Sequence, residues 1–179
     1  MTASSATLPV LAAAQTVVMC ESAVILDLEG TVIESWGRRL WLDENIRAIA
    51  RLVAASEQRD CLMLGLMSWA VMDESDLDEF RSALQEPLES RLGARFAPGL
   101  TRSMNGWAGL IGQLTGPGPT PAMMHPLFDK PSILFWLRGL PATELPSELI
   151  LVDDDIPHGD TIISPDRTIQ LINVHSLAS

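Results

Sequence analysis

The side chains most able to do chemistry in this chain are carboxylates placed directly after apolar runs. Asp27 and Glu29, then Gly30 and Thr31, follow Ala23-Val24-Ile25-Leu26. Asp153, Asp154 and Asp155 follow Leu149-Ile150-Leu151-Val152, and Ser68 closes a third apolar run over residues 61–67. A continuous run of branched apolar residues reads as a strand buried on both faces. Acids at its carboxyl end then sit where open α/β sheets keep their ligands. Burying a carboxylate is costly unless a cation or hydrogen bonds meet it. From residues 23–31 alone, a strand followed by an acidic turn explains the pattern equally well. Three such runs in one parallel sheet say more, because Asp27, Glu29, Ser68 and Asp153/Asp154 would then collect on one rim. Crowded carboxylates repel, and the usual relief is a hard divalent cation. Mg²⁺ takes one or two carboxylates plus waters and substrate phosphate. Such a rim suits phosphoryl transfer: a hydroxyl and a lysine cradle the phosphoryl oxygens, and one carboxylate attacks phosphorus to form an aspartyl-phosphate.

The elements that must position these groups alternate in period. After the first strand, residues 32–36 and 39–42 flank Gly37-Arg38 and predict a small flap hairpin. Asp43 is the expected N-cap of a helix with apolar residues at Ile46, Ile49, Ala50 and Val53. Residues 61–67 form the second strand, with Cys61 read as a buried thiol. The acidic patch of residues 73–79 opens a helix that runs to Leu92 with a kink at Pro87. Its acids read best as a solvated face. A strand over residues 96–104 and a short helix over 107–114 follow. Residues 116–121, GPGPTP, break all regular structure, as a loop within one domain. Pro131 suits the first turn of a helix over residues 132–139. Residues 148–152 form a strand, and residues 168–174 a last, edge strand. Alternating strands and helices imply an α/β fold: a three-layer, Rossmann-like, mostly parallel sheet with helices on both faces. Residues 1–20 read as an N-terminal extension with a short helix near residues 8–14, and 21–179 as one domain.

Composition bounds the partners. The 179 residues suit a single three-layer core. With 12 Lys and Arg against 23 Asp and Glu, the formal charge is −11. That argues against sequence-independent binding to nucleic acid or an anionic membrane. No apolar stretch reaches the length of a membrane span, and residues 1–15 lack the positive start of a secretory signal. The expectation is a cytoplasmic protein. Cys20 and Cys61 have no metal-like spacing.

At this point the residues resemble a family, the haloacid-dehalogenase-like (HAD) phosphohydrolases. Asp27-Leu28-Glu29-Gly30-Thr31-Val32 is similar to its first motif, an Asp-x-Asp-Gly-Thr run after a hydrophobic strand. Ser68 resembles the Ser or Thr of its second motif, Lys130-Pro131 before a helix its third, and Leu149-Ile150-Leu151-Val152-Asp153-Asp154 its acidic fourth. The hairpin around Trp36 resembles the family's flap. The resemblance implies Asp27 as nucleophile and Mg²⁺ ligand. It implies Glu29 as general acid and base, with its backbone carbonyl on the metal. Ser68 and Lys130 would bind the phosphoryl group, Lys130 tethering Asp27, and Asp153 and Asp154 would hold Mg²⁺. The family usually has Asp where this chain has Glu29; the enolase-phosphatase branch carries Glu there. Which of Asp153, Asp154, Asp155 and Asp160 touch metal stays open, although Asp155 reads as a cap or loop residue. His158 reads as loop surface, substrate contact or spare ligand.

A helix directly after the flap, and 62 positions between Ser68 and Lys130, imply a capless or minimally capped domain with an open site. The implied substrate is large, such as a phosphoprotein, or small and held by the flap and a partner copy. Trp36, Arg38, Arg39, Trp41 and Trp69 are candidate rim residues. Three functional readings follow: a Mg²⁺-dependent phosphatase acting through Asp27, a catalytically weak or inactive HAD-fold binding module, and an unrelated α/β domain.

Overall fold

The computed structural model describes residues 21–56, 61–115, 130–138, 140 and 145–178. They form a six-stranded sheet in the order β3-β2-β1-β4-β6-β5. Its strands are β1 (Ser22–Leu26), β2 (Met63–Leu66), β3 (Arg95–Thr101), β4 (Glu148–Asp153), β5 (Thr161–Ser164) and β6 (Arg167–Asn173). All pairings are parallel except β5 with β6. The helices are α1 (Asp43–Ala55), α2 (Glu74–Phe80), α3 (Glu86–Leu92), α4 (Met104–Thr115), α5 (Lys130–Leu137) and α6 (Val174–Ala178). The α/β, three-layer expectation holds.

Every residue of β1 is buried, and the strand's period of two divides them between two cores. Ala23 and Ile25 pack with Trp107, Ile133 and Leu134 from α4 and α5. Val24 and Leu26 pack with Ile46, Ile49, Val53 and Phe80 from α1 and α2. Each such side chain contributes about 1.5–3 kcal/mol on burial. The chain moves outward from β1 through β2 to β3, then returns to place β4 on the other side of β1. The gap between the carboxyl ends of β1 and β4 is therefore the sheet's topological switch point, where ligands of open α/β sheets bind.

Several local expectations change. Asp43 is the first residue of α1, with Leu42 as an N-cap that makes no side-chain bond. Asp43 still favours the helix start through its charge. The kink at Pro87 is a π-helical turn, Arg81–Gln85, joining α2 to α3. Proline lacks an N–H, and one wide turn absorbs the lost bond. The acidic patch does local work: Asp73 and Asp76 form a capping box for α2. The flap has a single antiparallel bridge, Ile33 with Trp41, rather than two paired strands. Its turn carries Arg39 at φ 53°, a left-handed conformation uncommon outside glycine. α4 begins at Met104, earlier than expected, because the Ser103 hydroxyl takes a bond from the Gly106 N–H. α5 starts at Lys130 itself. The sequence reading missed β5, and β5 rather than β6 is the edge. Cys61 is half-exposed and disulfide-bonded, not a buried thiol. The proposed N-terminal helix and the GPGPTP loop lie outside the described residues. No helix among the described residues is long and apolar enough to cross a membrane.

Candidate active site

The parallel ladder carries the chain one residue past β1 and delivers Asp27 beside Asp153, the last residue of β4. Leu26 pairs with Val152, and the Asp27 N–H donates to the Val152 carbonyl at 3.0 Å. On the other side, Leu26 pairs with Leu66, and the Met67 N–H donates to the Leu26 carbonyl at 2.9 Å. Ser68 follows immediately. The Trp107 indole fixes that end of β2 by donating to the Leu66 carbonyl at 2.8 Å. Beyond Asp27 the chain turns sharply: the N–H groups of Thr31, Val32 and Ile33 all converge on the Leu28 carbonyl. The Gly30 N–H goes to the Ile33 carbonyl, so none of these bonds uses the Glu29 carbonyl.

Gly30 stands at φ 72°, and a Cβ there would lie 2.1 Å from Asp154 Oδ2. Only glycine fits, on both backbone and contact grounds. Asn45, from the first turn of α1, donates to the carbonyls of Gly30 at 3.2 Å and Thr31 at 3.1 Å. Asn173, at the end of β6, does the same for the loop after β4, donating to Asp154 at 2.9 Å and Ile156 at 3.0 Å.

Between these anchored loops, Lys130 Nζ lies 2.8 Å from Asp27 Oδ1 and 2.5 Å from Asp153 Oδ2. All three side chains are buried. Asp153 Oδ1 accepts the Asp155 N–H at 2.8 Å. Ser68 hydrogen-bonds the Asp27 carboxylate. One ligand oxygen from each of Asp27, Asp153 and Asp154 lies within 4.8 Å of the others. Three carboxylates thus face one ammonium. Burial pushes the Asp27 carboxyl above its ordinary range; Lys130 pulls it back and Asp153 raises it further. Burial, then Asp153, likewise raises Asp154. A hard dication would meet the surplus negative charge, and an all-oxygen donor set of this size suits one.

The predicted residues Asp27, Glu29, Ser68, Lys130, Asp153 and Asp154 all line one cavity of about 310 Å³, together with Trp69, Ala70, Asp155 and Ile156. Glu29 Oε1 accepts the Trp36 N–H of the flap at 2.6 Å. The other rim candidates do not line the cavity. Arg38 pairs with Glu34, Arg39 with Glu79, and Trp41 lies beneath Arg91. His158 and Asp160 are exposed and lie off the cavity wall. Sequence reasoning missed Asn45 and Asn173, whose partners are backbone carbonyls with no signature in the sequence. No family model, curated protein or solved structure matches this chain.

Proposed function

We propose that this chain is a Mg²⁺-dependent phosphomonoester hydrolase of the HAD-like type, acting through an aspartyl-phosphate on Asp27. The observation that carries the reading is the junction of Asp27, Lys130 and Asp153 beside Asp154, at the switch point of the sheet. Asp27, Asp153, Asp154 and the Glu29 carbonyl would hold the Mg²⁺, which when bound offsets negative charge on the phosphoryl oxygens.

The chain's own groups do the rest. Lys130 holds the Asp27 carboxylate in place and faces the incoming phosphoryl group. Asp27 attacks phosphorus, the ester P–O bond breaks, and the leaving oxygen takes the Glu29 proton. Glu29 then accepts a proton from water as that water attacks phosphorus, releasing inorganic phosphate and regenerating Asp27. Glu29 Oε1 accepts the Trp36 N–H, and Oε2 would carry the proton to the leaving oxygen. The test is hydrolysis of an aryl phosphate with Mg²⁺, parent against Asp27→Asn. Activity in the parent and background in the variant supports the reading; an active Asp27→Asn sinks it.

The Glu29–Trp36 bond also favours a second reading, in which Glu29 braces the flap and the fold serves as a binding module. Glu29→Gln separates the two. As general acid, Glu29 should matter by about 100- to 10,000-fold for alkyl esters and less for nitrophenyl esters in the first step. Burst kinetics measured beside turnover isolate that step. Equal losses on both ester types would assign Glu29 to positioning.

A further inference from the structure

The inventory of positive charge limits what this cavity can accept. Lys130 is the chain's sole lysine, and its ammonium already faces Asp27 and Asp153. Among the described residues, no arginine lines the cavity. Several have partners elsewhere: Arg39 pairs with Glu79 and lies over Trp36, Arg38 pairs with Glu34, and Arg102 donates to the Gly99 carbonyl. The residues outside the described set include one further arginine, Arg59.

The cavity has two parts. Its floor is the Asp27, Lys130, Asp153 and Asp154 cluster beside Ser68, where a phosphoryl group would sit. The remaining wall is Trp69, Ala70 and Ile156, flanked by Glu29 and Asp155. The organic part of a substrate would therefore meet an aromatic ring, two small apolar surfaces and two carboxylates. Enzymes that take diphosphates, bisphosphates or phospho-carboxylates place an arginine or lysine against the second anion. Among the described residues, nothing on this wall offers one. A second negative charge would meet the Asp155 carboxylate, in a site where screening is weaker than in bulk water.

We propose that the site discriminates by charge, taking phosphomonoesters whose organic part is neutral or cationic with an apolar or aromatic face, and rejecting those with a second anionic group. This rests on the phosphohydrolase reading, and the experiment separates the two. Three esters with closely matched leaving groups serve as probes: 4-(aminomethyl)phenyl, 4-(hydroxymethyl)phenyl and 4-(carboxymethyl)phenyl phosphate. In each a methylene insulates the remote charge from the phenol oxygen. kcat/KM is measured for the full chain with Mg²⁺ at low and high salt.

The expected order is cationic at or above neutral, with the carboxymethyl ester about tenfold or more below neutral and the gap narrowing in salt. Asp155→Asn should raise the ratio of carboxymethyl-ester to neutral-ester kcat/KM a few-fold, since one repelling charge is gone; an unchanged ratio would overturn the role of Asp155 in the charge rule. Hydrolysis of the neutral ester with equal or faster hydrolysis of the carboxymethyl ester overturns the charge rule and leaves the phosphohydrolase standing. Hydrolysis of none of the three overturns both.

Discussion

Two buried cations, Lys130 and Arg167, serve one stretch of this molecule in opposite ways. Lys130 opens α5 and meets two carboxylates. Arg167 opens β6, is only 2% exposed, and donates to five backbone carbonyls. Three of these, from Leu137, Arg138 and Leu140, belong to the end of α5 and the turn after it. The others, from Leu145 and Pro146, belong to the approach to β4. The guanidinium thus supplies donors to the carbonyls at a helix end, where the Leu137 carbonyl also takes the Leu140 N–H, and fastens α5 to β4. Burial lowers its pKa, yet arginine stays charged throughout the working range of a protein. One end of this stretch is organised around partners that titrate, the other around dipoles that do not. A buried charge serves chemistry where its partners can exchange, and architecture where they cannot.

The largest effect that would test this contrast is on stability. Arg167→Met removes the guanidinium donor from five carbonyls, most of them buried, and should cost about 3–5 kcal/mol in urea unfolding, the scale for breaking a buried charged network. Arg167→Lys should recover only part, because an ammonium offers three donors without the planar fork. Wild-type stability in Arg167→Met would dissolve the architectural half of the comparison.

Next comes Lys130→Met. It should lower turnover of an aryl phosphate by about 100- to 1,000-fold, as for the loss of one donor to developing negative charge. The variant should still fold, and Mg²⁺ should raise its melting temperature more than the parent's, since two carboxylates then face each other without a counter-charge. A variant unfolded even with Mg²⁺ would make Lys130 as architectural as Arg167.

A smaller effect lies in pH. Asp27 and Asp154 are raised above 3.8 in the folded chain, so without metal the native state holds their protons more tightly than the unfolded state does. Their stabilising contribution is full below about 3.8 and is lost as pH rises through the raised values. Asp27→Asn should therefore gain stability relative to the parent as pH rises above about 3.8 in chelator, whereas the deficit of Arg167→Met should stay flat. Parallel pH profiles for the two variants would erase the distinction.

The smallest effect concerns the flap. Arg39 and Glu79 form a partly exposed pair worth no more than about 1 kcal/mol. Arg39→Ala should barely move the melting temperature. It should change KM a few-fold, because Arg39 also donates to the Trp36 carbonyl and so steadies the N–H that meets Glu29. An unchanged KM would remove the flap from the site's support.

The same contrast explains what could be read from the sequence. β1 and β4 are interior parallel strands buried on both faces, so they write continuous apolar runs, and the acids after them stand out. Lys130 emerged because its motif is followed by Pro131 at a helix start. Arg167, Asn45 and Asn173 left no trace, because their partners are carbonyls supplied by any residue type. β5 was lost because four residues, two of them exposed, carry too little pattern. β6 was taken for an edge because its alternation reports which face is wet, not which neighbour is paired. The flap's near-symmetric sequence suggested two strands, but its turn consumes too many residues to leave more than one bridge.

The contact between Gly30 and the Asp154 carboxylate has a consequence for how the protein is made. The two loops that meet there are far apart in the chain: Thr31 and Asp154, hydrogen-bonded at 3.5 Å, are separated by 123 positions. A ribosome releases β1 early and β4 late, so one side of the central strand waits without its neighbour through most of synthesis. Loop closure over such a distance is slow, and an unpaired apolar strand is an aggregation hazard while it lasts. No nascent chain lacking β4 can assemble the acidic centre, and a chain cut short there carries Asp27 without Asp153 or Asp154.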